Sequence, residues 1–227
     1  MWWRELSYTS SSGNVQELRE LVLGGYDQLF EVVDSAGRNL MEIAHLYGQE
    51  MIVHFLSEAM NFVDKREWLH KAIRVGSLPH VQYIADTEDV AVAKDSKGRT
   101  SLHLATLCEE TEIMKFLAAQ YPRLLMIGDN LERTPLHYAM AVEGVDRVAK
   151  VLVQAGARRA MRDLRGRTPS SLFIRPKEVR DMQEEDPPPP RPSSYPLPHL
   201  PDLPANLPPP TPPPGLKAGL STVSPPP

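Results

Sequence analysis

The sequence has little of several residue types, and each shortage excludes a class of protein. It contains a single cysteine, Cys108, among 227 residues, which excludes an internal disulfide framework and favours a reducing compartment. No stretch approaches the ~18 uncharged apolar residues of a membrane-spanning helix. Basic residues number 25 against 29 acidic ones, and this net charge of −4 argues against a general binder of nucleic-acid phosphates.

The first residues also lack the apolar run that a secretory signal peptide needs. Met1 to Glu5 carry an acidic side chain early and lead into a serine-rich stretch. We therefore expect a cytoplasmic protein, with the nucleus as the alternative location, and no membrane insertion.

Proline is scarce in most of the chain and concentrated at its end. Five of the 23 prolines precede residue 187, and the last 41 residues hold the other 18. Because proline fixes φ and removes a backbone donor, a packed domain does not tolerate that density. The composition predicts a folded region over residues 1–182 and a disordered, proline-rich tail over residues 183–227.

A motif recurs along the folded region. Asp-Ser-Lys-Gly-Arg-Thr-Ser-Leu-His-Leu-Ala at 95–105 returns as Asp-Asn-Leu-Glu-Arg-Thr-Pro-Leu-His-Tyr-Ala at 129–139, and partial copies begin at Asp34 and Asp163. Counted from the slot of Leu102 and Leu136, the intervals between six copies are 35, 28, 33, 34 and 34 residues. Such a period is typical of stacked repeats, each of which covers the apolar face of its neighbour.

The motif resembles that of the ankyrin repeat family over roughly residues 4–175. Thr-Pro-Leu-His-Tyr-Ala at 134–139 matches the family signature Thr-Pro-Leu-His-x-Ala in full, and the period agrees. The resemblance implies an all-α solenoid of about five helix pairs with a partial C-terminal capping repeat. The implied repeats are 1–33, 34–63, 64–94, 95–128, 129–162 and a partial one at 163–182.

The side chains of the motif suit the start of a helix. A threonine hydroxyl can cap the helix N-terminus, and a following proline at the first helical position loses no hydrogen bond. These residues are Thr100, Thr134 and Thr168, with Pro135 and Pro169. The resemblance further implies a structural role for His103 and His137, which would form hydrogen bonds to neighbouring turns.

Several departures from the family pattern predict local differences. The interval of 28 residues leaves no room for the usual hairpin turn in the segment 59–66. Glu109 and Glu132 stand where the family uses glycine, and a non-glycine at positive φ costs about 1 kcal/mol, so we expect altered turns there. The polar first copy and the shortened sixth copy, which Pro176 ends early, are interpreted as end caps.

Two sets of residues are candidates for partner binding. One arginine precedes the capping slot in four copies, and this column is either a ladder for an acidic partner or an ordinary solvated position. These arginines are Arg38, Arg99, Arg133 and Arg167, and the resemblance places Lys97, Asn130 and Leu131 at the adjoining turn tips.

The second set follows the signature alanine, where the resemblance implies a concave face. Its members are Leu46, Tyr47, Arg74, Val75, Leu107, Cys108, Ala141 and Val142. Exposed apolar surface of this kind indicates a binding site, so we expect a helix or extended peptide there, anchored on Tyr47 and Leu107. The alternative is that a neighbouring segment or the chain's own tail covers the row.

No motif predicts chemistry. Cysteine and histidine lack zinc spacing, and Glu109 and Glu110 beside Cys108 disfavour its thiolate. We expect no catalytic residue, no cofactor and no metal. The resemblance instead implies a protein–protein interaction module that serves as adaptor, scaffold or inhibitor; a non-catalytic regulatory subunit of an enzyme complex is an alternative.

The tail supports a further alternative. Proline runs such as residues 187–190 favour polyproline II, the conformation that SH3, WW, EVH1 and profilin-type domains bind. An adaptor acting through this tail, linked to actin or recruiting SH3 or WW domains, is therefore one interpretation. A solvated spacer is the other.

Overall fold

The computed structural model of the protein describes residues 15–173, and within that range the chain is mostly helical. Its helices are α1 Val15–Leu23, α2 Leu40–Leu46, α3 Glu50–Val75, α4 Leu78–Ile84, α5 Glu88–Val92, α6 Ser101–Leu107, α7 Thr111–Gln120, α8 Pro135–Ala139, α9 Val145–Gln154 and α10 Pro169–Phe173. Single 3₁₀ turns occur at Asp27–Phe30 and Pro122–Leu125. The described residues form no strand beyond an isolated bridge between Val33 and Asn39, and none of their helices is long and apolar enough to cross a membrane.

The helices pack in chain order and share an elongated core. Helix α6 packs on α7 and α8, and α8 packs in turn on α9 and α10. One buried apolar cluster runs from Leu69 to Ala157, and a second, around Leu18 and Leu56, lies beneath α1 and α3. The all-α repeat predicted from the sequence is confirmed in this general form.

Helix α3 is a single helix of 26 residues that crosses the predicted boundary between the second and third repeats. No glycine or proline occurs between residues 50 and 75 to interrupt it. It ends at Gly76, whose φ of 75° is the left-handed conformation of a helix C-terminus. The segment 59–66, predicted to lack a hairpin turn, is helical throughout.

The two glutamates in glycine slots adopt the glycine conformation. Glu109 has φ of 57° and Glu132 has φ of 58°. The Glu132 N–H donates to the Asp129 carbonyl at 2.9 Å, as the Gly98 N–H donates to the Asp95 carbonyl at 2.8 Å. The expectation of altered turns is wrong, since the turn's hydrogen bonds outweigh the backbone strain.

The helix caps agree with the sequence where the structure describes them. Thr100 and Thr134 are the N-caps of α6 and α8, and Pro135 occupies the first position of α8. The polar first copy at residues 6–13, the helix end predicted at Pro176 and the whole tail lie outside the described residues.

Candidate partner-binding surface

Each turn that begins with the repeated aspartate is closed by the arginine four residues later. In the turn from Asp129, Oδ1 accepts the N–H groups of Leu131 at 2.9 Å and Arg133 at 2.8 Å, while Oδ2 accepts Arg133 Nε at 2.8 Å. We call this arrangement the Asp–Arg latch. It recurs with the same Nε–Oδ2 distance of 2.8 Å in the pairs Asp34–Arg38, Asp95–Arg99 and Asp163–Arg167.

The latch ionises its aspartates. Burial alone would raise the pKa of Asp129, but hydrogen bonds from Arg133 and Tyr138 outweigh burial and leave that pKa lowered. The Tyr138 hydroxyl donates to Asp129 Oδ2 at 2.7 Å, and the Arg133 guanidinium lies 5.5 Å from the centre of the Tyr138 ring. The charge of each arginine is therefore matched within its own turn.

Exposure differs along the arginine column, and neither interpretation of the column holds for Arg99. The side chain of Arg38 is 45% exposed, whereas that of Arg99 is 3% exposed, and Arg133 and Arg167 are intermediate. Arg99 is too deeply buried to reach a partner or to occupy an ordinary solvated slot. Among the four, Arg38 offers the most accessible guanidinium.

The signature histidines bridge consecutive turns, as the resemblance implied. His103 Nδ1 accepts the Thr100 N–H at 3.2 Å, so Nε2 carries the proton and donates to the Arg133 carbonyl at 2.8 Å. His137 makes the corresponding bond to the Arg167 carbonyl at 3.1 Å. Burial lowers the pKa of His103 to about 4, which is the neutral form that this bonding requires.

Hydrogen bonds between consecutive turns connect the turn tips. The Asn130 side chain donates to the Ser96 carbonyl at 3.3 Å, and the Leu164 N–H donates to the Leu131 carbonyl at 3.0 Å. Asn130 itself is exposed, while Lys97 and Leu131 are half-buried. Of the predicted tip residues, Asn130 thus presents the most surface.

The row after the signature alanine is exposed at one end and buried at the other. Tyr47 is 62% exposed and Leu46 is similarly accessible, whereas Leu107 is 7% and Val142 is 5% exposed. The expectation of a continuous exposed apolar row is wrong at Leu107 and Val142, because both belong to the buried core cluster. Arg74, Val75 and Cys108 are half-buried and Ala141 is buried.

An apolar groove of about 740 Å³ lies between α1 and α3. We call it the α1–α3 groove. Met51, 76% exposed, lines it four residues after Tyr47. Its other apolar lining residues include Val15, Val22, Phe55, Ala59 and Phe62, and its charged rim includes Glu50 and Glu58. Sequence reasoning missed this groove, because the apolar residues that follow Met51 predict a helix face but not how much of it the neighbouring helix leaves open.

A buried arginine joins the 3₁₀ turn after α1 to the segment before α6. Arg66, on α3, is 1% exposed. Its Nη1 and Nη2 donate to the two carboxylate oxygens of Asp27 at 2.9 and 2.6 Å, and Nη1 also donates to the Lys94 carbonyl at 3.0 Å. Nη2 donates further to Glu67 Oε1 at 2.7 Å. No sequence motif identified Arg66, because Asp27 lies 39 residues away.

The described residues contain no cluster of three or more His, Cys, Asp or Glu side chains arranged for a metal ion. Cys108 lies half-buried at the C-cap of α6, beside Glu109, whose carboxylate pairs with Arg147 at 2.8 Å. The polar groups of the latches, the signature histidines and Glu109 are engaged in turns, caps and ion pairs.

Part of the chain matches a known protein family. Residues 40–126 match the family model described as ankyrin repeats (3 copies). The matched segment includes α3 and the latch from Asp95 to Arg99. No curated protein matches the chain significantly.

Proposed function

Because its ankyrin repeats at residues 40–126 make this chain a member of the ankyrin repeat family, we propose that it is a non-enzymatic adaptor, scaffold or inhibitor that binds another protein. Ankyrin repeats are protein–protein interaction modules that present extended surfaces to a partner. The observation that carries the proposal is the α1–α3 groove with the exposed apolar side chains beside it. Leu46, Tyr47 and Met51 are all more than half exposed. Contact of several large apolar side chains with water is unfavourable, so their exposure indicates a surface that binds a partner.

The proposed docking surface consists of the α1–α3 groove, Leu46 and Tyr47, with Arg38 as its accessible cation. Tyr47 keeps the anchoring role expected from the sequence, and Met51 replaces the buried Leu107 as the second anchor. A large apolar side chain in a pocket contributes most of the binding energy at such surfaces. The ligand is a helix or an extended segment that places apolar residues in the groove and a carboxylate near Arg38.

The test introduces carboxylates at exposed apolar positions inside and outside the proposed surface. The full chain is used as an affinity bait in its wild-type form, as Tyr47→Asp combined with Met51→Asp, and as Leu164→Asp. Leu164 is also more than half exposed, but it lies in the last described turn, far along the chain. We expect the double variant to lose about 100-fold in affinity for a captured partner, since each anchor contributes about 1–2 kcal/mol.

Leu164→Asp should leave that affinity unchanged. Equal binding of all three baits would contradict the proposed surface. Equal loss with both variants would place the partner elsewhere on the stack.

The proposal includes the number and the bounds of the repeats. We infer five helix pairs and a partial sixth repeat over residues 1–182, in the cytoplasm. Limited proteolysis of the full chain should then give a stable fragment ending near residue 182, since proteases cut first where little surface is buried. A stable fragment ending near residue 126 would contradict that boundary.

A second contact through the proline-rich tail is favoured by one observation, the 18 prolines in the last 41 residues. A tail that binds an SH3, WW, EVH1 or profilin-type domain would raise the effective concentration of a partner bound by the repeats. Baits with and without residues 187–227 separate the two contacts. An unchanged set of captured proteins would make the tail a spacer.

A further inference from the structure

We propose that the α1–α3 groove binds a helix of a partner protein whose apolar face fills the groove and whose flank carries lysine or arginine. This ligand class rests on the function proposed above and adds to it the conformation and the charge of the bound segment. Three features of the groove support it: the helices that form its walls, an exposed methionine in place of a charged residue, and the negative charge of its rim.

Both walls of the groove are helices. On α3, Met51, Phe55 and Phe62 line the groove at spacings of four and seven residues, which places them on one helix face. Val15 and Val22 line it from α1, also seven residues apart. The distance along α3 from Met51 to Phe62 is about 16 Å, or three helical turns. The groove therefore offers an apolar furrow of the length that a short amphipathic helix occupies.

A helix fits these walls better than an extended segment does. Helices use their backbone N–H and C=O groups in their own hydrogen bonds, so α1 and α3 offer no strand edge to a ligand. An extended segment would press its backbone groups against apolar side chains without partners, which is costly. A helical ligand satisfies those groups internally and presents apolar side chains at the spacing of the walls.

Met51 occupies a position that carries a charge in a later repeat. Leu56 of α3 aligns with Leu117 of α7, 61 residues later, and both side chains are buried. The same count aligns Met51 with Glu112, which is exposed and pairs with Lys115 at 2.6 Å. The large apolar side chain at this exposed position is thus a feature of the α1–α3 groove and not of every helix in the stack.

The space between α7 and α9 is smaller than the α1–α3 groove. Its volume is about 320 Å³, against about 740 Å³ between α1 and α3. Among the described residues, its apolar lining is Ala118, Ala119, Val151 and Ala155. These side chains offer a ligand helix less apolar area than the methionine and phenylalanines of the α1–α3 groove, so the binding site belongs to α1 and α3.

The rim of the α1–α3 groove is acidic. Glu50 and Glu58 are exposed at its edge on α3. Arg19, on α1, forms an ion pair with Asp89, which also lines the groove, so its positive charge is matched within the protein. His54 Nδ1 lies 3.4 Å from Glu58 Oε2 and adds a positive charge only when it is protonated. Complementary charge therefore requires lysine or arginine at the flank of the ligand, close to Glu50 and Glu58.

Binding of synthetic peptides to the full chain tests this ligand class. The probe is a fluorescently labelled peptide with leucines at positions i, i+4, i+7 and i+11, lysines beside them, and a hydrocarbon staple on its outer side that keeps it helical. Its control has glutamate in place of every lysine. In fluorescence anisotropy we expect the lysine peptide to bind about tenfold more tightly than the glutamate peptide, because ion pairs replace like-charge contacts at the rim.

A charge-reversed chain gives the matched comparison. In Glu50→Lys combined with Glu58→Lys, the preference should reverse, so that the glutamate peptide binds about tenfold more tightly than the lysine peptide. Binding of the glutamate peptide would also show that this variant is folded. Glu143→Lys combined with Asp146→Lys changes the net charge equally, at exposed positions near the start of α9, and should keep the wild-type preference.

Several results would overturn the proposal. Binding of neither peptide, or equal binding of both, would mean that the groove does not select a basic helix. Equal binding of an unstapled lysine peptide with a central proline would make an extended segment the ligand. Faster hydrogen exchange of residues 1–14 in Met51→Asp would make the chain's own N-terminus the occupant. A dimer that Met51→Asp dissociates would make a second copy the occupant.

The affinity baits described above separate this ligand class from the proposed function. We expect a captured partner to be lost both with Tyr47→Asp combined with Met51→Asp and with Glu50→Lys combined with Glu58→Lys. A partner that the first double variant loses and the second retains would overturn the basic helix and leave the proposed function standing.

Discussion

Two regions of the molecule stack their helices in different ways. We call residues 95–157 the regular region and residues 40–92 the fused region. In the regular region, latched turns stack on one another, and His103 joins one turn to the next. In the fused region one turn is missing, and α3 runs through its place. A repeat protein can therefore omit a turn, provided that a side chain takes over the contacts that the turn made.

Arg66 is that side chain. It projects from α3 where the turn would stand, and it contacts Asp27 on one side and the Lys94 carbonyl on the other. The neighbouring turns also meet directly, since the Lys94 N–H donates to the Leu23 carbonyl at 3.0 Å. A Cβ on Gly25 would clash with the carbonyls of Lys94 and Asp95, so the approach is close. The fused region thus replaces a backbone turn by one guanidinium.

Acid should destabilise both regions at once and gives the largest expected effect. Burial lowers the pKa of His70, in the fused region, to about 3 and that of His103 to about 4. An unfolded histidine takes up a proton below pH ~6.5, whereas the folded one stays neutral, so stability falls as the pH drops from about 6.5 to 4. Each histidine contributes a loss of about 3 kcal/mol over that window. The latch aspartates, with lowered pKa values, lose their contribution only at lower pH, below about 4.

Urea unfolding at several pH values measures the slope of the unfolding free energy against pH. His103→Asn, which cannot titrate, should reduce the slope by about 1.4 kcal/mol per pH unit. A slope that is the same in wild type and His103→Asn would contradict the linkage.

Removing the guanidinium of Arg66 should break the fused region. Arg66→Ala leaves Asp27 and the Lys94 carbonyl without their donor, and loss of one partner of a buried ion pair costs about 3–5 kcal/mol. Because Asp27 and Glu67 are partly exposed and can regain water, we expect the lower end, about 3 kcal/mol. Urea unfolding measures the loss.

Two control variants distinguish the effect of the Arg66 guanidinium from the effect of side-chain volume and from that of losing an arginine elsewhere. Arg66→Met keeps much of the side-chain volume and should recover only part of the loss, since it donates no hydrogen bond. Arg147→Ala, which removes a well-exposed arginine of the regular region, should cost less than about 1 kcal/mol. Equal losses for Arg66→Ala and Arg147→Ala would show that Arg66 does not replace the turn.

The Asp–Arg latch allows the same substitution to be compared in two environments. Asp129→Asn places an amide donor towards Arg133 Nε and the Tyr138 hydroxyl, both of which donate to the carboxylate. Since Asp129 is buried, we expect a loss of about 2–3 kcal/mol. Asp34→Asn disrupts the latch at the accessible Arg38 and should cost clearly less. Thermal unfolding measures the stability of both variants. A larger loss in Asp34→Asn than in Asp129→Asn would contradict this view of the latch.

Local sequence could predict the regular region because its contacts lie within one motif. The caps at Thr100 and Thr134 and the bridge from His103 all involve residues of the recurring motif. The latch was equally open to prediction, since Asp and Arg stand four apart in four of the six copies, but the arginines were interpreted as either a ladder for an acidic partner or an ordinary solvated position. Burial decides between these readings, and burial depends on the neighbouring repeats.

The fused region and the candidate surface were predicted less well for a physical reason. The short interval correctly indicated a missing turn, yet the partners of Arg66 lie in segments distant in sequence. The same holds for Leu107, whose burial is set by packing against other copies, whereas Tyr47 sits beside the altered stretch and remains exposed. Periodicity locates a residue on a helix face, but it does not tell how closely the next element covers that face.

The smallest expected effect concerns a position where the regular region departs from its own motif. Glu132 holds φ of 58° in the slot that Gly98 and Gly166 fill at φ of 77° and 72°. Glu132→Gly should therefore stabilise the protein slightly, by up to about 0.5 kcal/mol once the entropy that glycine adds to the unfolded chain is subtracted from the relieved strain. Glu143→Gly is the control, because the exposed Glu143 has no positive φ and should gain nothing. Urea unfolding measures the stability of both variants. A loss of stability in Glu132→Gly would mean that the Glu132 side chain stabilises the protein by more than its backbone strain costs.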